Sequence, residues 1–425
     1  MTPQDALTRI RRYDGRLKAF VQVFDPPLAG ETADGPTVAV KDLIDIAGVP
    51  TGGGARVPLD PKPAHNAVVV DRLLQAGCAI VGKTQTVELA YGGWGTNRAV
   101  GAPWNPWDAA VHRAPGGSSS GSAVAVAAGL CDAALGSDTG GSVRIPAATC
   151  GVVGLKPGRG LVSLKGVHPL SPSLDTVGAL APDVATAARV LAVISGPDGV
   201  SATREPFDAR AALSADVTGC RVAAMPLQEL GALDPDVARL YAEGLERLAG
   251  AGVRVETARP PQALEQSFTP NGMLMSGEGW RIWRERIEAH AEVMDPWIVR
   301  RFEAGREVSD ERLAEAHLRR AADQAEFHAW LGGFHAMISP TCPIPGPPMD
   351  AIDETTSPLS RLTRAANYLD LPAISVPCGL TREGLPVGFQ VIGRPRDEAG
   401  VVALGAAFEK VSGWNGRRPD LSGFG

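Results

Sequence analysis

Residues 116–122 read GGSSSGS and residues 137–142 read SDTGGS, and the reading of these two stretches decides the fold. Gly/Ser-rich segments are ordinarily flexible linkers. These two are flanked by AVAVAAG (123–129) and VRIPAATCGVVGL (143–155), which have the apolar density of a buried helix and a buried strand. A linker does not sit inside a core. The serines therefore belong to loops built into a packed framework, and that framework reads as α/β.

Outward from the serines, short apolar runs alternate with helical patterns. TVAVKDLID (37–45) is a buried strand running into a loop, NAVVVDRLLQAG (66–77) a helix and CAIVGKT (78–84) a strand. GSAVAVAAGL (121–130) is a helix of small residues, and CDAALGSD (131–138) and GVVGLKP (151–157) are strands. DVATAARVLAVISG (183–196) is a helix with a glycine stop. RVAAM (221–225), the helix 234–252 and VRVET (253–257) form a second β-α-β unit. Residues 262–332 are rich in charge and tryptophan and read as an all-helical cover. Three strands (336–345, 372–380, 385–393) and a helix (398–411) close the chain. Strands alternating with helices predict an α/β fold around a mixed or parallel sheet, as one large domain.

The 425 residues are 44 % hydrophobic and carry a net charge of −6, so the chain has material for a large core and no basic footprint for nucleic acid. Its apolar runs fall short of the ~20 residues of a membrane span. The N-terminus MTPQDALTRIRRYDGRL is charged throughout and reads as a first helix rather than a signal peptide, so a cytoplasmic protein is expected. The six cysteines form no C-x-x-C pair and read as buried free thiols. The seven histidines show no ligand spacing, so neither a metal nor another cofactor is expected.

Four chemistries compete for the serines. A phosphate cradle of the Walker type needs a lysine after the loop, and none follows GGSSSGS. Gly117-Ser118-Ser119-Ser120-Gly121 matches G-x-S-x-G with Ser119 as nucleophile, but that elbow needs a hydrophobic strand before it, and NPWDAAVHRAPGG precedes it here. Asp138-Thr139-Gly140 resembles an aspartic-protease D-T-G, yet no second copy exists to share the proton. A serine nucleophile worked by a lysine survives, because a serine hydroxyl needs a nearby base and no histidine adjoins either cluster. Lys41, at the end of the apolar run TVAV, is the candidate. Burial would lower its pKa toward that of a base. The segment alone leaves open whether Lys41 is such a base or a surface lysine at a strand end.

With Lys41, GGSSSGSAVAVAAG (116–129) and ALGSDTGGSVRIPAATCGVVGLKP (134–157) in view, the chain resembles the amidase signature family. GTNRAVGAPWNPWD (95–108), NYLDLPAISVPCG (367–379) and GLPVGFQVIG (384–393) extend the match. The resemblance implies a single domain over 1–425, with a signature block at about 37–180 and a helical cover at about 262–332. It implies a triad of Ser142 as nucleophile, Ser118 on a cis peptide after Gly117, and Lys41 as base. Thr139, Gly140 and Gly141 would offer oxyanion N–H groups. Gly117, Ser119, Asp138 and Arg144 would support the loops, with Ser119, Ser120 and Ser122 capping and holding them.

The implied activity is metal-free, cofactor-free hydrolysis of a small amide through a serine acyl-enzyme, with no nucleic-acid or membrane partner and, by family habit, a homodimer. Trp94 in ELAYGGWG (88–95) and Trp280 in the cover are the expected pocket walls. Two alternatives stand beside the amidase: the glutaminase subunit of a tRNA-dependent amidotransferase, and a carbamate- or urea-type hydrolase. The amidotransferase members usually carry an acidic residue in the stretch matching PLSRLTRAANYLDLP (358–372). Here it holds Arg361 and Arg364, with Asp370 only at the turn. Those arginines either meet a substrate carboxylate or face solvent. The departure favours a stand-alone amidase. A scaffold that only binds would need a broken triad, and all three residues are present.

Overall fold

A computed structural model describes residues 1–30 and 35–425. Its strands are β1 (Phe20–Ala29), β2 (Thr37–Lys41), β3 (Ala79–Thr84), β4 (Ala133–Asp138), β5 (Val153–Lys156), β6 (Thr176–Ala181), β7 (Arg221–Ala224), β8 (Arg254–Thr257), β9 (Ala336–Pro340), β10 (Ala373–Leu380) and β11 (Pro386–Gly393). They join in one mixed sheet of order β1-β3-β2-β4-β6-β5-β10-β11-β9-β7-β8. The helices are α1 (Pro3–Leu17), α2 (Val68–Gln75), α3 (Ser120–Ala127), α4 (Arg144–Cys150), α5 (Val184–Ile194), α6 (Ala209–Ser214), α7 (Pro235–Gly250), α8 (Phe268–His290), α9 (Pro296–Glu303), α10 (Asp310–Leu331), α11 (Arg364–Tyr368) and α12 (Glu398–Val411).

The sheet places the site. β2 is buried along its whole length and runs parallel to β4 on one side and β3 on the other. Parallel neighbours bring the carboxyl ends of β2 and β4 to the same edge, so Lys41 and the loop after Asp138 emerge together. Crevices at that edge are where open α/β sheets commonly hold their ligands. α3 lies over β4 with every residue buried. Its small side chains also let it press against the chain leaving β3: a Cβ on Gly121 would meet the Gln85 backbone nitrogen at 2.5 Å.

Two strands escape the sequence reading. β1 contains the prolines Pro26 and Pro27, which interrupt a strand pattern; it pairs irregularly with β3 at the sheet edge, where proline costs no ladder bond. β6, TVGALA, is too rich in Ala and Gly to stand out as a strand, yet it bridges β4 and β5 in the middle of the sheet. The cover is helical as expected, formed by α8, α9 and α10. Among the described residues no helix is long and apolar enough to cross a membrane. All six cysteines are free, five of them buried.

Candidate active site

Lys41 is fully buried at the end of β2, and its Nζ lies 2.7 Å from Ser118 Oγ and 2.9 Å from Ser137 Oγ. Burial pushes its pKa down to about 7; the more distant carboxylates of Asp138 and Asp175 pull the other way and lose. Lys83 on the adjacent strand is equally buried but has a counterion, the Asp42 carboxylate at 2.8 Å. The contrast separates the two: Lys83 is a paired structural cation, while Lys41 faces hydroxyls only. Ser137 is the contact the sequence reading missed, although it heads the quoted SDTGGS.

Ser118 follows Gly117 across a cis peptide bond. The Ser119 N–H donates to the Ser142 carbonyl at 3.2 Å, which holds the two serine loops side by side. Ser142 lines a cavity of about 1000 Å³ between the sheet edge and the helical cover. Ser119 Oγ donates to the Ser137 carbonyl, and Ser122 Oγ to that of Leu135, so both serines tie α3 to β4 rather than capping the helix. Ser120 Oγ has no described partner.

Asp138 and Arg144 shape the second loop. The buried Asp138 carboxylate accepts from the Gly141 N–H (2.8 Å), the Val143 N–H (3.1 Å) and Arg144 Nη2 (2.9 Å). Burial opposes its charge, but Arg144 and these donors outweigh it and hold the carboxyl well below the usual range. Arg144 also reaches Gln390, Asn367 and the Thr363 carbonyl. The Gly141 N–H is thus committed to Asp138, whereas the N–H groups of Thr139, Gly140 and Ser142 have no partner among the described hydrogen bonds. Gly141 sits at φ +126°, and a Cβ there would collide with Thr363 Oγ1. Thr139 Oγ1 donates to Asp175 at 2.6 Å, and burial pushes that carboxyl up to about 7. Asp175 lies 36 residues downstream in sequence, in a stretch with no recognisable pattern.

The cavity wall corrects two expectations. Trp94 is buried away from it, against Ile145, Ala148, Cys342 and Leu359, with its indole N–H on the Thr356 carbonyl. Leu89 and Ala90 take positive φ and turn the chain, so that Tyr91, Gly92 and Gly93 meet the cavity instead. Trp280 likewise turns away, with Arg306 stacked over its ring at 4.9 Å. It lies five residues beyond Met275, ~140° round the helix at ~100° per residue, and Met275 lines the cavity together with Phe268 and Thr269 of the first turn of α8. The aromatic lining comes from Tyr91, Phe268 and Trp297.

A large mixed sheet carries two Gly/Ser loops and a buried lysine, and its fold is that of known amidases. The Amidase family model matches residues 1–402. Among curated relatives, a Glutamyl-tRNA(Gln) amidotransferase subunit of Chloroflexus aggregans is 34 % identical, the match covering 99 % of this chain and 90 % of the relative. Among solved structures, the corresponding Glutamyl-tRNA(Gln) amidotransferase subunit of Thermotoga maritima superposes with a TM-score of 0.86 at 32 % identity, over 98 % of this chain and 93 % of that one. A peptide amidase bound to the competitive inhibitor chymostatin gives a TM-score of 0.84 at 28 % identity, over 98 % and 94 %. The chain belongs to the amidase family.

Proposed function

We propose that the chain is a serine amidohydrolase in which Ser142 is the nucleophile, Ser118 the relay and Lys41 the base. The observation that carries this is Lys41 itself: a buried amine, 2.7 Å from Ser118, with hydroxyls rather than a carboxylate in contact. A neutral amine has two N–H donors and one lone pair, so it can donate to Ser137 while accepting from Ser118.

Ser118 then accepts the Ser142 proton as Ser142 Oγ attacks the amide carbon. The N–H groups of Thr139, Gly140 and Ser142, which carry no described partner, receive the oxyanion on this reading, each worth roughly 2.7–4 kcal/mol. The proton returns along the same path to the leaving nitrogen, the C–N bond breaks, and an ester on Ser142 remains. Water, deprotonated by the same relay, hydrolyses the ester to a carboxylate and frees Ser142.

Ammonia release from a panel of aliphatic and aromatic primary amides, with Ser142→Ala as the blank, tests this reading. A fluorophosphonate label mapped to Ser119 instead of Ser142 would overturn the assignment.

A second reading draws on the relatives, whose names are those of one component of an amidotransferase. On that reading the chain supplies ammonia from glutamine inside a complex. Ammonia released from simple amides but not from glutamine would count against it.

A further inference from the structure

Four arginines line the cavity, and they are not equivalent. Arg301 is neutralised by Glu354 at 2.7 Å. Arg361 spends its Nη2 on the Leu230 and Ala232 carbonyls. Arg300 stacks over Trp297, 5.6 Å from the ring centroid. Arg300 also pairs with no carboxylate among the described residues but is exposed, whereas Arg364 is part-buried beside the nucleophile loop. Its side chain runs past the nucleophile loop: a Cβ on Gly140, two residues before Ser142, would lie 3.4 Å from Arg364 Cγ. Its guanidinium sits 3.7 Å over the Phe268 ring and donates through Nη1 to the Phe268 carbonyl and through Nε to Ser360 Oγ. Nη2 donates to no described group, and no carboxylate among the described residues pairs with it.

Burial pushes the Arg364 pKa down to about 10, with Tyr91 supporting the charge and Arg301 opposing it, so the group is still a cation at neutral pH. A part-buried cation without a counterion is costly unless something anionic or water completes it. A guanidinium offers a planar fork suited to a carboxylate.

We propose that Arg364 anchors a carboxylate of the substrate, and that the substrate is a short monoamide of a dicarboxylic acid. This rests on the amidohydrolase reading. The amide lies over Ser142, and the carboxylate takes the free edge of Arg364 above Phe268. Arg364 Cγ lies beside Gly140, two residues from Ser142, which favours a spacer of a few methylenes. Glutamine would bring an ammonium group beside this same cation; of the cavity carboxylates, Glu354 is already paired with Arg301 and Glu265 stands beside Arg361.

The test compares kcat/KM for succinamate and butyramide, which differ by carboxylate against methyl, in the wild-type chain, Arg364→Gln and Arg361→Gln. The wild-type chain is expected to prefer succinamate by roughly ten- to hundredfold, the scale of a charge-assisted hydrogen bond. Arg364→Gln should erase the preference mainly through KM, while Arg361→Gln retains it. Equal rates in the wild-type chain, or a preference that survives Arg364→Gln, would overturn the anchor and leave the amidohydrolase standing. If neither amide is cleaved, calorimetric titration of succinate into Ser142→Ala decides separately. Binding that disappears in Ser142→Ala/Arg364→Gln supports the anchor, and no binding at all removes it.

Discussion

Lys41 Nζ and Ser118 Oγ lie 2.7 Å apart in a fully buried pocket that gives the lysine no carboxylate contact. The sheet imposes the lysine's position, since Lys41 ends a strand hydrogen-bonded on both sides. The charge state follows from the position. An ammonium there loses its hydration and gains only hydroxyl dipoles, so the neutral amine becomes accessible near neutral pH.

The first prediction is kinetic. The base works only when neutral, so kcat/KM on an amide should rise with pH through about 7 and level off above it. Asp175 favours the ammonium form, so Asp175→Asn should move the rising limb to lower pH. A limb unmoved by that change, or activity falling as pH rises through 7, would remove Lys41 from the role of base.

The same shift has a consequence for stability. Lys41 holds its proton less tightly when folded than the ordinary lysine value of 10.5, so folding releases protons between about pH 7 and 10.5. Its contribution to stability is therefore poorest below pH 7 and improves as pH rises toward 10.5. Lys41→Met should be inactive, and more stable than wild type at pH 6 by urea denaturation. That advantage should shrink steadily as the pH is raised above 7.

The triad should behave as a unit. Ser142→Ala and Lys41→Ala are each expected to lower kcat by roughly 10³-fold or more, and the double variant should be little worse than the poorer single one. Multiplicative losses in the double variant would mean that the two residues act independently.

Arg144 and Asp138 form a buried ion pair, and removing one partner of such a pair costs about 3–5 kcal/mol. Arg144→Met should show a loss on that scale by chemical denaturation. Arg144→Lys should not recover it, because the guanidinium serves Asp138, Thr363, Gln390 and Asn367 at once. An ammonium cannot span that set.

The glycines of the nucleophile loop differ in tolerance. Gly141→Ala places a methyl onto Thr363 at φ +126° and should cost both folding and activity. At Gly140 the closest neighbours of an added methyl are 3.4 Å away, so Gly140→Ala should fold normally. Thermal melts of the two variants check the order, and equal melting temperatures would contradict it.

Much of this protein was legible in the sequence because its signals are local. TVAV before Lys41 marks a buried strand, the small residues after GGSSSGS mark a helix pressed onto a sheet, and Asp183 begins α5 by accepting from the Thr186 N–H. The three candidate triad positions lie in segments whose motifs survive reading one residue at a time. What the tertiary structure alone decided is where side chains point and what answers them. Trp94 and Trp280 sit in the expected segments but face away, because a turn at Leu89 and the rotation of α8 set their directions. Asp175, Thr363 and Asn367 brace the nucleophile loop from positions distant in sequence, and no local pattern marks them. Arg361 and Arg364 look alike in sequence; only the fold ties one to the Leu230 and Ala232 carbonyls and sets the other beside the nucleophile loop with its Nη2 unspent. Burial and counterions are properties of the packed chain, so electrostatic function was the part the sequence could not show.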